Sequence, residues 1–386
     1  SALRVLCLQE DVADRTLAML HGALQEWTMG NPDRQSTDVG PVIDEQARAQ
    51  IEAHIKRMED AGQKVTRVQR QDGQLHGHFV APAIIEIDST SRLTREVFGP
   101  VLHVIRFQRE QLDALIDGIN ATGYGLTFGV HSRIDETIAH LSERVQAGNL
   151  YVNRNVIGAV VGVQPFGGMG LSGTGPKAGG PLYLHRLAQG APNTALAALP
   201  RAEADQAQQP TLQLLARLQQ TTLPGVDAAL ARAACDAALA ASRQGASWLL
   251  PGPTGESNRY RLLPRGPVWA LPRTPLGLVH QLAAALASGN PCHVVLPQGD
   301  QGCAAAWDAI AAALGAAAQD LLRRADAASL QDASTPVTAL LFEGDGDALL
   351  QVGALVAARE GAIVRVESRS TNTAAAGGNA QLMTMA

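Results

Sequence analysis

Hydrophobic periodicity that switches repeatedly between a helical period and short extended runs constrains this chain more than any other feature. Leu17, Leu20, Leu24 and Trp27 fall at i, i+3, i+7 and i+10, the face of an amphipathic helix that Asp11 can start. A second helix runs from Asp44 as N-cap, with Ala47, Ile51, Ile55 and Met58 on one side. Extended segments are predicted at 79–87 and 101–107. A third helix carries Leu112, Leu115, Ile116 and Ile119. A fourth carries Ile138, Leu141 and Val145, with Gly148 as its expected C′ residue. Helices and strands in alternation, jointed by Gly and Pro, predict an α/β fold with a largely parallel sheet over residues 1–190.

From 191 to 209 the sequence turns to Ala, Pro, Gln and Glu, which reads as a linker. Beyond it the chain is Ala-rich, with strand candidates at 268–270, 294–296, 339–342 and 363–366 and helices between them, again α/β. The 386 residues suffice for two domains with real cores, and 46% hydrophobic content is a globular value. A net charge of −5 gives no electrostatic footprint for nucleic acid. No apolar run is long enough to span a bilayer, and no secretory signal is visible in the residues before the first strand. Cys7, Cys235, Cys292 and Cys303 lack CxxC or CxxH spacing, so reduced buried thiols are expected rather than zinc or disulfides. Cys7 reads as a small core residue on the first strand. His76 and His78 alternate like strand residues with no third ligand nearby, so no metal site is expected.

Motifs concentrate in the first half. Residues 1–8 read Ser-Ala-Leu-Arg-Val-Leu-Cys-Leu, residues 96–102 Glu-Val-Phe-Gly-Pro-Val-Leu, and residues 148–154 Gly-Asn-Leu-Tyr-Val-Asn-Arg. Further on come Ile157-Gly158-Ala159, then Gln164-Pro165-Phe166-Gly167-Gly168, Ser172-Gly173, and a Gly/Pro-rich run to residue 184. The glycine-rich run lacks a Lys-Ser/Thr pair opening a helix, which argues against a phosphate cradle. In this order the segments resemble the aldehyde dehydrogenases, matching their E-x-F-G-P-V, G-x-x-x-V-N and P-F-G-G-x-x-x-S-G motifs. The loop 157–166 resembles, more narrowly, the anchor loop of glutamate semialdehyde (pyrroline-5-carboxylate) dehydrogenases.

The resemblance implies a nucleophilic Cys immediately before Ser1, with the oxyanion-hole Asn and general-base Glu also upstream and no catalytic residue within the chain. It implies NAD held by Glu96, which accepts from the ribose hydroxyls, and by Phe98, whose ring packs on the nicotinamide carboxamide. It implies that Ser1 and the backbone N–H groups of Gly158 and Ala159 bind the substrate α-carboxylate, with Phe166 on the aliphatic chain. The reaction implied is thiolate attack on L-glutamate γ-semialdehyde, hydride transfer from the thiohemiacetal to NAD⁺, and thioester hydrolysis to L-glutamate.

The second half echoes, in degraded form, the opening of an aldehyde dehydrogenase cofactor domain. Residues 263–270 and 282–291 follow its pattern, but Pro272-Arg273-Thr274-Pro275 stands where P-W-N would, and Val294-Val295-Leu296-Pro297 lacks the ribose-binding Lys. A non-catalytic, aldehyde-dehydrogenase-like Rossmann-type domain is therefore expected over 210–370. The tail 371–386 resembles that of long bifunctional proline-catabolic enzymes, in which it packs on the catalytic region. That resemblance implies a proline dehydrogenase half with FAD elsewhere in the polypeptide, a homo-oligomer, and a bacterial cytoplasmic location peripheral to the inner membrane. The competing reading is a non-catalytic scaffold or oligomerisation module with the same fold.

Overall fold

Alternating side chains on four short strands determine how the first part of the molecule is built. The computed structural model describes residues 2–68, 76–187 and 209–369; Ser1, the 191–208 part of the expected linker and the tail 371–386 lie outside the described residues. Contacts group the chain into two compact units, Ser1–Gly158 and Ala159–Ala386. In the first, β1 (Val5–Gln9), β2 (Lys64–Arg67), β3 (Ala83–Ile87) and β4 (Val101–Phe107) form a sheet in the order β1-β4-β3-β2. β1 and β3 each pair parallel with β4, and β2 is an antiparallel edge strand.

Period-2 alternation sends each strand's residues to two helices. Leu8, Ile84 and Val104 pack with Ala13, Leu17 and Leu24 of α1 (Glu10–Gln25). Ile85, Ile87, Val101 and Ile105 pack with Ile51, Ile55 and Met58 of α2 (Glu45–Asp60). The Asp44 carboxylate accepts from the Ala47 N–H at 2.7 Å, so the predicted N-cap is made. α1 begins at Glu10, with Asp11 in its first turn, and Trp27 lies beyond its end, exposed.

Three other local expectations are corrected. Within 79–87 only Ala83–Ile87 is strand; Phe79, Val80 and Ala81 are buried without a ladder. The fourth helix, α4 (Asp135–Arg144, after α3 at Leu112–Ala121), ends with Val145 already extended. Gly148 is therefore not its C′ residue; its N–H donates to the Gly125 carbonyl at 2.9 Å, leading into the parallel pair β5 (Thr127–Val130) and β6 (Asn149–Val152). The run 76–78 is a bend, not a strand: Gly77 sits at φ +132°, which breaks the alternation, and His78 instead meets Glu45 at 3.1 Å.

In the second unit a five-stranded parallel sheet is made by β9 (Val268–Leu271), β10 (Cys292–Val294), β11 (Leu322–Arg324), β12 (Ala339–Glu343) and β13 (Arg365–Arg369). Their order is β11-β10-β9-β12-β13, a doubly wound arrangement whose switch point lies between β9 and β12. The strand expected at 294–296 starts earlier and ends at Val294, and the one expected at 363–366 starts later and runs to Arg369. One face packs on α5 (Pro210–Gln220), α6 (Ala228–Ala241), α7 (Pro275–Ala287) and α8 (Gln301–Leu314). The other packs on α9 (Gly346–Ala357) through Trp269, Leu340, Phe342 and Val356. An antiparallel hairpin, β7 (Ser247–Leu250) with β8 (Asn258–Arg261), gathers Tyr260 and Leu262 around Leu182.

Two histidines interrupt the first core. His54 on α2 and His103 on β4 are buried with their Nε2 atoms 2.8 Å apart. Arg57 lies 3.2 Å from His54 Nδ1, and His103 Nδ1 lies 3.3 Å from the Arg4 carbonyl. Arginine can only donate and a carbonyl can only accept. With both rings neutral the chain is therefore one-way: Arg57 to His54, His54 to His103, His103 to Arg4. Burial holds both imidazoles below their ordinary range; for His54, at about 4, the neighbouring His103, Arg57 and Arg95 add to the effect, whereas for His103 the hydrogen bond to the Arg4 carbonyl opposes it.

An unfolded chain protonates His54 near 6.5, before the folded chain does, so the stability this group contributes is present above that pH and is lost as pH falls towards about 4. His54→Gln is expected to show a shallower loss of denaturant resistance across that window than the unsubstituted chain. Denaturant midpoints measured through the window check this.

Candidate active site

The loop between β3 and β4 presents two side chains outward from a base fixed in the core. Exposure alternates along it: Glu96 and Phe98 are exposed, whereas Val97 packs against the α2–sheet cluster. Gly99 is required by close approach, since a Cβ there would stand 2.4 Å from Ile51 Cδ1. The Gly99 carbonyl accepts from the Val101 N–H at 2.8 Å, turning the chain into β4. The structure thus brings Glu96 and Phe98 side by side, and Phe98 remains 76% exposed.

Arg4, at the head of β1, touches both. Its Nε lies 3.4 Å from Glu96 Oε1, its Cζ 4.4 Å from the Phe98 ring centroid, and its Nη1 3.4 Å from the Gly99 carbonyl. Sequence reading missed Arg4, because its place depends on the parallel pairing of Val5 with His103. The only sequence signal was a cation at the head of a strand beginning an aldehyde-dehydrogenase-like segment.

In the loop that follows β6, Asn153 takes φ +55° and exchanges side-chain hydrogen bonds with Ser132 at 3.0 and 2.9 Å. Gly158 takes φ +67° and would have open space around a Cβ. The Ile157 N–H donates to Asn155 Oδ1 and the Val160 N–H to Gln164 Oε1. Among the described residues no hydrogen bond uses the N–H of Gly158 or Ala159. Two consecutive main-chain donors between two committed ones suit an anion.

Further along, Phe166 is half-buried and bridges Ala178 through hydrogen bonds of 3.0 and 2.9 Å. In the turn after it, a Cβ on Gly168 would meet Ser172 at 2.5 Å, which accounts for the second glycine of the motif's pair. The thiols are unsuited to nucleophilic work: burial pushes Cys7 and Cys303 up to about 11 and Cys235 and Cys292 up to about 12. No cluster of three metal-ligating groups occurs among the described residues, and no described helix is long and apolar enough to cross a membrane.

The crevice of the second unit is filled from within. A doubly wound sheet receives a dinucleotide pyrophosphate at the head of the helix after its first strand, here α7 after β9. The buried Glu343 carboxylate, at the end of β12, occupies that place. It accepts from the N–H groups of Arg273 (2.8 Å) and Thr274 (2.9 Å) and from the Thr274 hydroxyl (2.9 Å). Thr274 in turn caps α7 by accepting from the Gly277 N–H at 2.9 Å. A Cβ on Gly277 would stand 1.8 Å from Glu343 Oε2, so the glycine makes room for the carboxylate.

Residues 1–190 of this chain match the model of the aldehyde dehydrogenase family. Over its full length the chain is 47% identical to the bifunctional protein PutA of Escherichia coli, covering 30% of that protein. It is 45% identical to the bifunctional protein PutA of Rhizobium meliloti, over 99% of the chain and 32% of the relative. Over 48% of its length it is 37% identical to a 1-pyrroline-5-carboxylate dehydrogenase of a Geobacillus species, covering 35% of that enzyme. The chain therefore spans about a third of the length of these relatives.

Gly277→Ala is expected to cost about 2 kcal/mol, because the buried carboxylate has no room to retreat. In a Glu343→Ala background the same substitution should cost far less. A double-mutant cycle on denaturant unfolding checks this; equal costs in both backgrounds would mean that the two side chains do not compete for the space.

Proposed function

We propose that this chain is part of a bifunctional proline-catabolic enzyme and that residues 1–190 belong to its NAD-dependent L-glutamate γ-semialdehyde dehydrogenase. The observation that carries the proposal is the end-to-end likeness to bifunctional PutA proteins, together with the likeness of the first half to pyrroline-5-carboxylate dehydrogenases. The residues of the first unit fit the cofactor. An exposed carboxylate and an exposed ring, two positions apart on a pinned loop, offer an acceptor for a ribose diol and a flat apolar face. NAD, when bound, supplies the hydride acceptor. Glu96 holds the ribose hydroxyls, and Phe98 packs against the carboxamide.

The Gly158 and Ala159 N–H groups receive the substrate α-carboxylate, and Phe166 covers the aliphatic chain. Ser1, which lies outside the described residues, joins the same anchor in this reading. No cysteine of the chain is assigned as nucleophile, in keeping with the raised thiols; that role goes to a Cys immediately before Ser1. FAD belongs to the proline dehydrogenase half of the longer polypeptide, which we place in the bacterial cytoplasm, as a homo-oligomer peripheral to the inner membrane. For residues 209–369 the non-catalytic reading is favoured by one observation: Glu343 occupies the donors a dinucleotide would need.

In the full-length protein, Glu96→Ala is expected to raise KM for NAD⁺ by a loss of about 1–2 kcal/mol, with KM for the semialdehyde nearly unchanged. Steady-state kinetics with each substrate varied in turn would expose the opposite pattern. Ala159→Phe should abolish semialdehyde oxidation while leaving proline oxidation nearly intact. Parallel loss of both activities in coupled assays would count against the anchor and point to general disruption.

A further inference from the structure

We propose that Arg4 is a positioning residue for the cofactor: it holds Glu96 and Phe98 in one orientation before NAD binds. The inference rests on the reading above that these two side chains carry the cofactor. Its own basis is the geometry of a single guanidinium that meets three of the four consecutive residues 96–99. The Arg4 backbone is itself fixed, since its carbonyl accepts from the His103 N–H at 3.1 Å and lies 3.3 Å from His103 Nδ1. From that point the side chain reaches Glu96 Oε1, the Phe98 ring and the Gly99 carbonyl.

No one of these contacts is strong. Both polar distances, 3.4 Å, lie at the long edge of hydrogen bonding, and the pair with Glu96 is half-open to water. Their value is geometric. Among the described residues Glu96 and Phe98 have no other polar or ring partner, so without Arg4 each would sample several rotamers. Ordering a side chain on binding weakens affinity by roughly 2- to 10-fold. A planar group that stacks on the ring, faces one carboxylate oxygen and donates to the loop carbonyl removes that cost in advance. It also leaves the site usable: Glu96 Oε2 remains for a diol, and the Phe98 face turned from Arg4 remains for a flat ring. A lysine would keep the charge and lose the stacked, forked geometry.

The test uses the full-length protein with Arg4→Met, Arg4→Lys, Glu96→Gln and the Arg4→Met/Glu96→Gln double variant. NAD⁺ affinity is titrated directly, and KM for each substrate, kcat and the melting temperature are measured alongside. Arg4→Met is expected to weaken NAD⁺ binding roughly 10-fold, with semialdehyde KM and melting temperature nearly unmoved. Arg4→Lys should recover part of the loss. The double variant should bind NAD⁺ far better than the product of the two single effects, because both remove one shared arrangement.

If Glu96→Gln weakens NAD⁺ binding while Arg4→Met leaves it unchanged or tightens it, Arg4 has no positioning role and the proposal fails. Failure of Glu96→Gln to alter NAD⁺ binding would instead overturn the reading of the loop itself. A lower melting temperature in Arg4→Met, all kinetic constants worsening together and no recovery with Lys, would reduce Arg4 to a structural residue and also overturn the proposal.

Discussion

The parallel pairing of β1 with β4 is the contact on which the first unit depends. It sets Val5 opposite His103 and so fixes the head of one strand beside the loop that feeds the other. Parallel strands cannot be joined by a tight turn, so this adjacency is created by the tertiary fold across a stretch that contains α1, α2 and two further strands. The helices on the two faces secure it, α1 through Leu17 and Leu24 and α2 through Ile51 and Ile55. The buried histidines belong to the same arrangement: they connect α2 to β4 and, through a carbonyl, to the strand that carries Arg4.

The second unit uses the same layered architecture for a different end. Its strand order creates a crevice, and the turn leading into helix α7 offers main-chain donors there, but a side chain of the neighbouring strand takes them. A buried carboxylate with three donors is satisfied internally and needs no ligand. Small residues assist the packing: α7 buries nearly its whole surface, and the alanines and Cys235 of α6 allow the two helices to approach closely.

Much of this was legible in the sequence where a local rule governs. The bounds of β4, the Asp44 cap and the buried row Ile51, Ile55 and Met58 follow from periodicity and capping chemistry alone. The motif loop 96–99 was legible through its resemblance to the E-x-F-G-P-V motif, whose residues are adjacent in sequence; the alternation of exposed and anchored side chains came from the structure. His54 and His103 were not, since a count of apolar residues passes over a polar side chain that finds its partner only in the folded core. Lys64–Arg67, an edge strand rich in charge, and the hairpin at 247–261 were missed for a related reason: their pairing partners, not their composition, make them strands. Arg4 and Glu343 belong to the same class, each defined by residues about 70 or more positions away.

Gly99 lies so close to Ile51 that the turn carrying Glu96 and Phe98 is continuous with the hydrophobic core beneath it. Segments that open easily have few buried contacts and solvated backbone. This one has Val97 in the core, Gly99 against a side chain that is itself 3% exposed, and a carbonyl committed to the start of β4. Its backbone should therefore shift appreciably only when α2 moves relative to the sheet, since Ile51 belongs to that helix. A surface loop by position is thus anchored in the core through Val97 and Gly99. It serves as a rigid wall rather than a lid, and any motion that admits or releases a ligand falls to other segments.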